Sequence, residues 1–441
     1  MTPSPATLRP EEHAVSVKIH RSAAEVEELR PFWLKEQRHP NSDLDHFLLV
    51  CRLRTEVISP CVLSLWQDGS VRCVLAGRIE HSTVQPRVGY LKMPLLRRRA
   101  LILIHGGAIG QLGPREADLI IARINQFLAD GGADVVVFSS LSEGSPLFAS
   151  IRAMGRRVLG VAKPRWAKHW ELTLPSQPGC LLQAMKSKHR SWIRRKARDL
   201  EAAFPARIDW RWHAQVDDLA PISRQIEEVA ARTYQRGLDA GFKDNVFHRE
   251  RLALFARQGR LRIMILEIDR RPAAFWFGIV YRGVFHSEAT GFLPELSEYE
   301  IGTQVFISLV DELVRESVVR FDFGLGDAPY KQRFGDLSWR ENTVWLFGSA
   351  WRGAALRTYL GTCEALDHAL RAFVQRIGVA DRLKQAWRRR LAHPENPVKM
   401  PPKPSTSGPA PLECRGTPRC DDGLVAARQI DQVKPRRPLF P

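Results

Sequence analysis

The stretch FDFGLGDAPYKQRFG, from Phe321 to Gly335, decides how the rest of the chain is interpreted. Its first residues alternate as a strand does, with Phe321 and Phe323 on one face and Asp322 on the other. Gly324 and Gly326 then interrupt the pattern. The residues after them predict a polar loop, which carries Asp327, Tyr330, Lys331 and Arg333. Because ligands of open α/β sheets bind at the carboxyl ends of strands, this loop is a candidate site wall. A glycine-ended strand followed by a solvated turn is the alternative.

Length and composition indicate a protein of more than one domain with an anionic partner. A chain of 441 residues exceeds one ordinary core, and its formal net charge is +18. Such a charge favours binding to nucleic acid, to an anionic membrane surface or to a phosphate-bearing cofactor, without choosing among them. No stretch approaches the roughly 18 to 20 apolar residues of a membrane span, so we predict none. The seven cysteines are scattered and form no C-x-x-C pair, which favours a reducing, cytoplasmic location.

Strand and helix patterns alternate from Val15 onward and repeat one coarse plan in two halves. Each half contains a meander of strands, a helix and a further apolar strand, which predicts an α+β fold with two similar lobes. A short Pro/Gly connection near Gln177 separates the halves. We therefore divide the chain into an N-terminal lobe (15–178), a C-terminal lobe (179–350), a basic helical extension (351–392) and a proline-rich disordered tail (393–441).

Local signals place several elements. Asp68-Gly69 between two strand patterns predicts a hairpin. Ser22 predicts a helix N-cap, and Ser42 or Asp43 predicts another. The glycines of LILIHGGAIG (101–110) do not have the spacing of a nucleotide-binding loop, so we interpret them as a tight turn from strand to helix.

The most basic segment is KSKHRSWIRRKAR, Lys186 to Arg198, which has seven basic residues and no acid. A helix of this kind can bind phosphate groups, and Lys186, Lys188 and Arg190 are candidates for substrate binding. Ile193, Ala197 and Leu200 form an apolar stripe that would pack on a core. A solvated basic face without a specific ligand is the alternative.

A second candidate anion site is the N-terminus of the helix that begins near Gly302. Free N–H groups at a helix N-terminus can hold a pyrophosphate, so Gly302 and Thr303 are candidates for cofactor binding. Three carboxylates in the preceding loop oppose this interpretation: Glu295, Glu298 and Glu300.

The residues resemble the GNAT-type acyltransferases of the double-lobed group that includes FemAB-like and CelD-like proteins. The resemblance is carried by SKHRSWIRRKARDLE (187–201), by the strands through Phe292, and above all by the block from Asp322 to Gly335. It covers about residues 180–348 well and the first lobe loosely. The Q/R-x-x-G-x-G/A pyrophosphate loop usual in GNAT proteins is absent, and the acidic segment before Gly302 stands in its place.

The resemblance implies two tandem GNAT-like lobes, each a mixed sheet flanked by helices, and an acyl-CoA co-substrate along the second lobe. Acetyl-CoA or another acyl-CoA would be the donor, without a metal. A substrate amine would attack the thioester carbonyl, so a base and an acid are expected. Asp322 or Glu288 would be the base and Tyr330 the acid. The cofactor-binding candidates are Gly302, Thr303, Gly324, Gly326 and Lys331, and those for substrate binding are Asp327, Arg333, Lys186, Lys188 and Arg190.

Three functions follow as hypotheses. The first is an acyl-CoA-dependent N-acyltransferase with a small-molecule or saccharide acceptor, such as a sugar or polysaccharide precursor. The second is a FemAB-like aminoacyl transferase that takes its amino acid from charged tRNA, for which the basic helix would be suited. The third is a non-enzymatic nucleic-acid-binding protein on an acyltransferase scaffold.

Overall fold

The computed structural model describes residues 15–89, 91–155, 165–233, 236, 241–348 and 351–376. The predicted tail (393–441) and residues 377–392 of the predicted extension lie outside this part of the chain. Among the described residues, no helix combines the length and the apolar character needed to cross a membrane.

Strands and helices alternate along the described chain. The strands are β1 Val15–His20, β2 Val57–Pro60, β3 Val62–Gln67, β4 Ser70–Val84, β5 Arg87–Val88, β6 Leu91–Lys92, β7 Leu96–Gly110, β8 Val135–Ser142, β9 Arg165–Thr173, β10 Ile208–His213, β11 Leu261–Ile268, β12 Arg271–Tyr281, β13 Val284–Phe292, β14 Arg320–Leu325 and β15 Leu337–Phe347. The helices are α1 Ala23–Glu27, α2 Arg30–Glu36, α3 Leu44–Leu53, α4 Pro114–Ala129, α5 Pro146–Gly155, α6 Cys180–Ala184, α7 Ser187–Ala203, α8 Leu219–Ala230, α9 Val246–Arg257, α10 Ile301–Arg315, α11 Pro329–Phe334 and α12 Trp351–Arg376. Short 3-10 turns lie at Pro40–Ser42 and Pro294–Tyr299.

Thirteen of the strands form one mixed sheet. Their order is β1-β3-β4-β7-β8-β15-β9-β14-β13-β12-β11-β10, and β2 pairs with β4. The pairs β7–β8 and β13–β14 are parallel, whereas pairs towards the edges of the sheet, such as β1–β3 and β11–β12, are antiparallel. The predicted α+β class, a mixed sheet flanked by helices, is therefore confirmed.

Each half of the chain contains the same crossover unit. In the first half, β7 leads through α4 into β8; in the second half, β13 leads through α10 into β14. Both parallel pairs are short, since they join residues 100–103 to 135–138 and residues 284–286 to 320–322. Beyond these residues the two strands of each pair separate, so each half has an opening in its sheet.

The two halves exchange strands at the centre of the sheet. β15 comes from the end of the second half, yet it pairs with β8 of the first half on one side. On its other side β15 pairs with β9, which also pairs with β14. The sheet is thus continuous across the centre, and residues from both halves meet there.

Apolar side chains from helices fill a core on each half of the sheet. In the first half, Ile120 and Ile124 of α4 are fully buried among strand residues. In the second half, Phe306 and Leu309 of α10 pack on β12 and β14. Ile193 and Leu200 of α7 are also buried, which confirms the predicted apolar stripe.

The structure confirms the predicted hairpin and two predicted helix caps. The hairpin is confirmed, because Asp68 and Gly69 join β3 to β4 with positive φ angles. Ser22 caps α1 and Asp43 caps α3, as predicted. Two predictions were wrong. The glycines at 106, 107 and 110 lie inside β7 rather than in a turn, and Tyr330, Lys331 and Arg333 lie on the short helix α11 rather than in a loop.

A second compact unit comprises residues 83–96 together with the chain from Leu356 onward. Its described part contains the two-stranded sheet β5–β6 and most of α12. Within it, the Gly89 N–H donates a hydrogen bond to the Asp367 carboxylate (2.8 Å), and the Tyr359 hydroxyl donates one to the Pro94 carbonyl (2.7 Å).

Candidate functional site

The opening between β13 and β14 begins at His286 and Asp322, which are the last paired residues of these strands. β13 continues to Phe292 and pairs there with β12. β14 turns away through Gly324 and Gly326, whose φ angles of 70° and 100° favour glycine. Backbone groups on the inner edge of β13 therefore face the opening without a partner strand among the described residues.

Asp322 lies at the apex of this opening and is 6% exposed. Its carboxylate accepts hydrogen bonds from His169 Nε2–H (2.6 Å), from His286 Nδ1–H (3.0 Å) and from the Gly324 N–H (2.6 Å). Burial alone would raise the pKa of Asp322, but the hydrogen bonds from His169 and His286 outweigh it and hold the pKa well below its usual range. Three donors leave this carboxylate little capacity to act as a base.

His286 is oriented by Asp322. Because its Nδ1–H donates to the carboxylate, the neutral ring carries its lone pair on Nε2. That Nε2 is buried and has no hydrogen-bond partner among the described residues. An imidazole held by a carboxylate, with the opposite nitrogen available, is the arrangement of a general base.

A second carboxylate, Glu341 of β15, lies on the far side of His169. Glu341 accepts a hydrogen bond from the Trp339 indole N–H (2.8 Å), and its Oε1 lies 3.1 Å from His169 Nδ1. The Trp339 ring stacks on the His169 ring at 4.4 Å. Burial lowers the pKa of His169, but the carboxylates of Asp322 and Glu341 more than offset this and raise the pKa to about 9.

Two further histidines complete this central cluster. The ring of His39 lies 4.6 Å from that of His105 and 4.7 Å from that of His286. Burial holds the pKa of His39 well below its usual value and lowers that of His105. Sequence reasoning missed all four histidines, since their positions 39, 105, 169 and 286 share no motif and meet only through the strand exchange.

Glu288, a predicted base, is held in an ion pair instead of facing an open space. Both of its carboxylate oxygens accept hydrogen bonds from Arg251, at 2.8 and 2.6 Å. Burial would raise the pKa of Glu288, but the neighbouring guanidinium lowers it further than burial raises it. Arg251 also donates from Nε to His46 Nε2 (3.0 Å), so Glu288 belongs to a network that joins α3, α9 and β13.

The predicted site residues on and before α11 lie beside β14. Lys331 is buried, and its ammonium donates to the carbonyls of Gly324 (3.1 Å) and Leu325 (2.7 Å). Burial lowers the pKa of Lys331 to about 8. Tyr330 packs edge-on against Trp276, with ring centroids 5.7 Å apart. Asp327 accepts a hydrogen bond from the side chain of Gln332 (2.6 Å).

The start of α10 lies close to helix α7. The hydroxyl of Thr303, next to Gly302, donates to the Glu300 carboxylate (3.1 Å). Helix α7 packs against this region, and burial together with nearby Arg333 lowers the pKa of its His189. Lys186 and Lys188 at the start of α7 are exposed. Arg190, in contrast, donates to the carbonyl of Gln183 (2.7 Å).

Residues 187–332 match the family of the acetyltransferase (GNAT) domain. The chain therefore contains a GNAT acyltransferase domain. This match confirms that the resemblance to GNAT proteins predicted from the sequence is correct for these residues. The GNAT domain extends from α7 into α11 and contains His286, Asp322, Glu288 and Tyr330. The other members of the central cluster lie outside the matched segment: His39, His105, His169 and Glu341.

Solved structures similar to this chain have low sequence identity. They include FemX (10% identity, 72% of this chain and 95% of that chain, TM-score 0.46) and a tandem GNAT protein from the clavulanic acid biosynthesis pathway (12%, 75% and 98%, TM-score 0.46). L-PGS from Bacillus licheniformis is similar over 78% of this chain and 95% of its own (11% identity, TM-score 0.44). No curated protein matches the chain significantly.

Proposed function

We propose that this protein is an acyl-CoA-dependent N-acyltransferase, with acetyl-CoA as its donor. The observation that carries the proposal is the opening between β13 and β14 inside the GNAT domain, with His286 and Asp322 at its apex. An opening in the sheet and an oriented imidazole thus lie at the same point.

The opening suits the donor for two reasons. The pantetheine arm of coenzyme A carries amide groups, and the unpaired inner edge of β13 offers backbone N–H and C=O groups to it, as an edge strand does to an added peptide. The phosphates would lie at the start of α10, where helix N–H groups and the exposed cations Lys186 and Lys188 can bind them. Gly324 and Gly326 leave two positions of the opposite wall without a side chain.

His286 supplies the base in this proposal. The substrate nitrogen attacks the thioester carbonyl, the C–N bond forms, and the C–S bond breaks. The proton of the amine passes to His286 Nε2, and the departing thiolate takes a proton from an acid, for which Tyr330 is the candidate. Asp322 orients His286 rather than acting as the base, and Glu288 positions Arg251.

The acceptor in this proposal is the amine of a small molecule or saccharide. Charged tRNA as the donor is the second candidate, and the exposed basic residues at the start and along one side of α7 favour it: Lys186, Lys188, Arg194 and Arg195.

The compartment we propose is the cytoplasm, because Cys51, Cys61, Cys73, Cys180 and Cys363 are free thiols, which a reducing environment maintains.

Thermal unfolding in the presence of each donor tests the proposal. A ligand that binds only the folded protein stabilises it by about 2.7 kcal/mol at 100 times its Kd. We expect acetyl-CoA to raise the unfolding temperature by a few degrees at millimolar concentration, and total tRNA to leave it unchanged. Stabilisation by aminoacylated tRNA alone would replace the first function with the second.

A pair of charge reversals on α7 locates the phosphate site. Lys186→Glu with Lys188→Glu should weaken acetyl-CoA binding about tenfold or more, with a weaker dependence on salt. Arg194→Glu with Arg195→Glu changes the charge by the same amount, about two turns further along the helix, and should change the affinity less than about threefold. Equal effects of the two pairs would show that α7 acts only through its overall charge.

A further inference from the structure

The part of the central cluster that the proposed acyl transfer does not use is formed by His105, His169 and Glu341. These residues lie on β7, β9 and β15, and one nitrogen or oxygen atom of each lies within 4.8 Å of the others. His169 is 2% exposed and Glu341 is 5% exposed. The cluster is therefore built into the sheet and is not a chance group of surface side chains.

One buried oxygen of the cluster, Glu341 Oε2, has no hydrogen-bond partner among the described residues. Burying such an atom unpaired costs about 1–3 kcal/mol, and a cation bound to it would remove that cost. The other oxygen, Oε1, lies 3.1 Å from His169 Nδ1. His105 Nε2 lies 3.8 Å from Glu341 Oε2.

Further hydrogen bonds hold His169 and Glu341 in place, as the residues around a metal site hold its ligands. His169 donates its Nε2–H to Asp322, so Nδ1 is the nitrogen that faces Glu341, and the ion would bind there in place of the proton that the charged ring carries. A carboxylate that orients the ring of a metal-binding histidine is the usual outer partner of such a ligand. Glu341 is fixed in turn by the indole N–H of Trp339.

We propose that His105 Nε2, His169 Nδ1 and the Glu341 carboxylate bind one divalent first-row transition-metal ion, with Zn²⁺ as the preferred ion. Two histidines and one carboxylate are a donor set that this class of ion binds well. Atoms about 2.0–2.2 Å from a tetrahedral zinc ion lie roughly 3.3 Å from one another. The separations of 3.1 Å between His169 Nδ1 and Glu341 Oε1 and 3.8 Å between His105 Nε2 and Glu341 Oε2 are close to that value.

One ligand of the proposed ion also borders the opening in the first half of the sheet. A cavity of about 280 Å³ lies between the separating ends of β7 and β8, and His105 is part of its wall. Three protein ligands leave a coordination position for water or for a group of a bound molecule. The proposed ion would thus be held by residues of both lobes that lie outside the matched GNAT domain.

The neighbouring group of His39, His286 and Asp322 is also compact, but it is less suited to a cation. His39 Nδ1 accepts a hydrogen bond from the Asn41 N–H (3.0 Å), so the neutral ring carries its proton on Nε2 and has no lone pair to offer there. The Asp322 carboxylate already accepts three hydrogen bonds. The ion is therefore assigned to the first group alone.

Metal binding by the full-length protein tests this inference without any activity assay. After treatment with a chelator, the protein should bind one equivalent of Zn²⁺ in a calorimetric titration. One equivalent of Co²⁺ should give visible absorption bands of a four- or five-coordinate site. His105→Ala and Glu341→Gln should each weaken binding at least about 30-fold. His81→Ala removes an exposed histidine elsewhere on the first lobe and should leave binding unchanged.

The shift in unfolding temperature on addition of Zn²⁺ provides a second measurement. Wild type and His81→Ala should be stabilised by the ion, whereas His105→Ala should fold, as circular dichroism would show, and gain no stability from it. Failure of the chelated wild-type protein to bind one equivalent would overturn the inference. Unchanged Zn²⁺ binding by His105→Ala and Glu341→Gln would also overturn the inference. Loss of acetyl-CoA binding would bear on the proposed function and not on this site.

Discussion

At the scale of single residues, His286 is the side chain on which the proposed chemistry depends most. His286→Gln removes the basic nitrogen but keeps an amide that can donate to Asp322. Because Nε2 has no partner among the described residues, we expect the unfolding temperature to change by no more than about 2 °C, while turnover falls about 10²- to 10⁴-fold.

Thiol release from acetyl-CoA over a panel of amines measures the turnover of this variant. His81→Gln, which alters an exposed histidine, serves as the matched control and should retain full activity. A His286→Gln enzyme that turns over at the wild-type rate would remove His286 from the role of base. Lost acetyl-CoA affinity with unchanged turnover would instead give this residue a role in binding the donor.

His46 makes the protein sensitive to acid. Its Nδ1–H donates to the Pro40 carbonyl and its Nε2 accepts from Arg251, so the folded protein requires the neutral ring. Burial, together with nearby Arg251 and Arg78 and opposed by Glu288, lowers the pKa of His46 to about 3. Between about pH 6.5 and pH 3 the unfolded chain therefore binds a proton that the folded chain does not. Stability should fall as the pH falls through this range, by up to about 1.4 kcal/mol per pH unit from this residue.

Urea unfolding between about pH 7 and pH 4.5 measures this dependence. His46→Asn keeps a side-chain donor for Pro40 but cannot take up a proton. The variant should be less stable than wild type near neutral pH, and the difference between the two should shrink as the pH falls. Parallel curves for the two proteins would mean that other groups cause the acid sensitivity.

The sequence indicated where the candidate site lies, but it could not indicate every side chain that the fold brings together there. Asp322 lies at the apex of the opening. The sequence could indicate this place because a strand that ends in glycines is a pattern of neighbouring residues. Lys331 is predicted to meet a ligand, and its ammonium donates hydrogen bonds to the carbonyls of Gly324 and Leu325. His169 could not be placed beside Asp322 from the sequence, since only the antiparallel pairing of β9 with β14 brings them together.

At the scale of secondary structure, β7 shows why glycines can continue a strand. Gly106 has a φ of 70°, and a Cβ atom there would lie 2.6 Å from the side chain of His39. The glycine therefore lets the His39 ring approach the sheet and join the central cluster. A pattern of apolar residues running into glycines predicted a turn, because the close approach of a distant side chain leaves no trace in the local sequence.

Gly106→Ala tests this account of β7. Strain at positive φ costs about 1 kcal/mol, and displacement of His39 adds about 1–3 kcal/mol. Gly69→Ala is the matched control, since Gly69 has a φ of 75° but nothing lies within 4 Å of the added methyl group. In denaturant unfolding, we expect a loss of about 2–4 kcal/mol for Gly106→Ala and about 1 kcal/mol for Gly69→Ala. Equal losses would show that His39 moves aside freely.

Helix α11 shows why a short helix is difficult to predict from the sequence. Its six residues are too few to show a helical period, and Pro329 at its start is equally typical of a turn. The helix forms because Phe334 and Lys331 are buried against the second core. Tertiary contacts therefore decide its structure, whereas α4 and α10 are long enough for their apolar periodicity to predict them.

At the scale of the whole molecule, the predicted boundary at residues 178–179 divides the chain but not the sheet. β9 precedes this boundary and pairs with β14 and β15 after it, and β15 pairs with β8 before it. A fragment of residues 15–178 would expose the edge of β8 that β15 covers, and both edges of β9. A fragment of residues 179–348 would leave β15 without any partner strand among the described residues.

Neither fragment should therefore fold on its own. Each would lose the buried surface of the central strands, and open edges of apolar strands promote aggregation. We expect residues 15–178 and 179–348, expressed separately, to be insoluble or to lack a cooperative unfolding transition. A single polypeptide of residues 15–348 should unfold in one cooperative step. Independent cooperative unfolding of either fragment would show that the strand exchange at β9 and β15 is dispensable. The tandem lobes would then be separate folding units, and the central histidine cluster would form only when they dock.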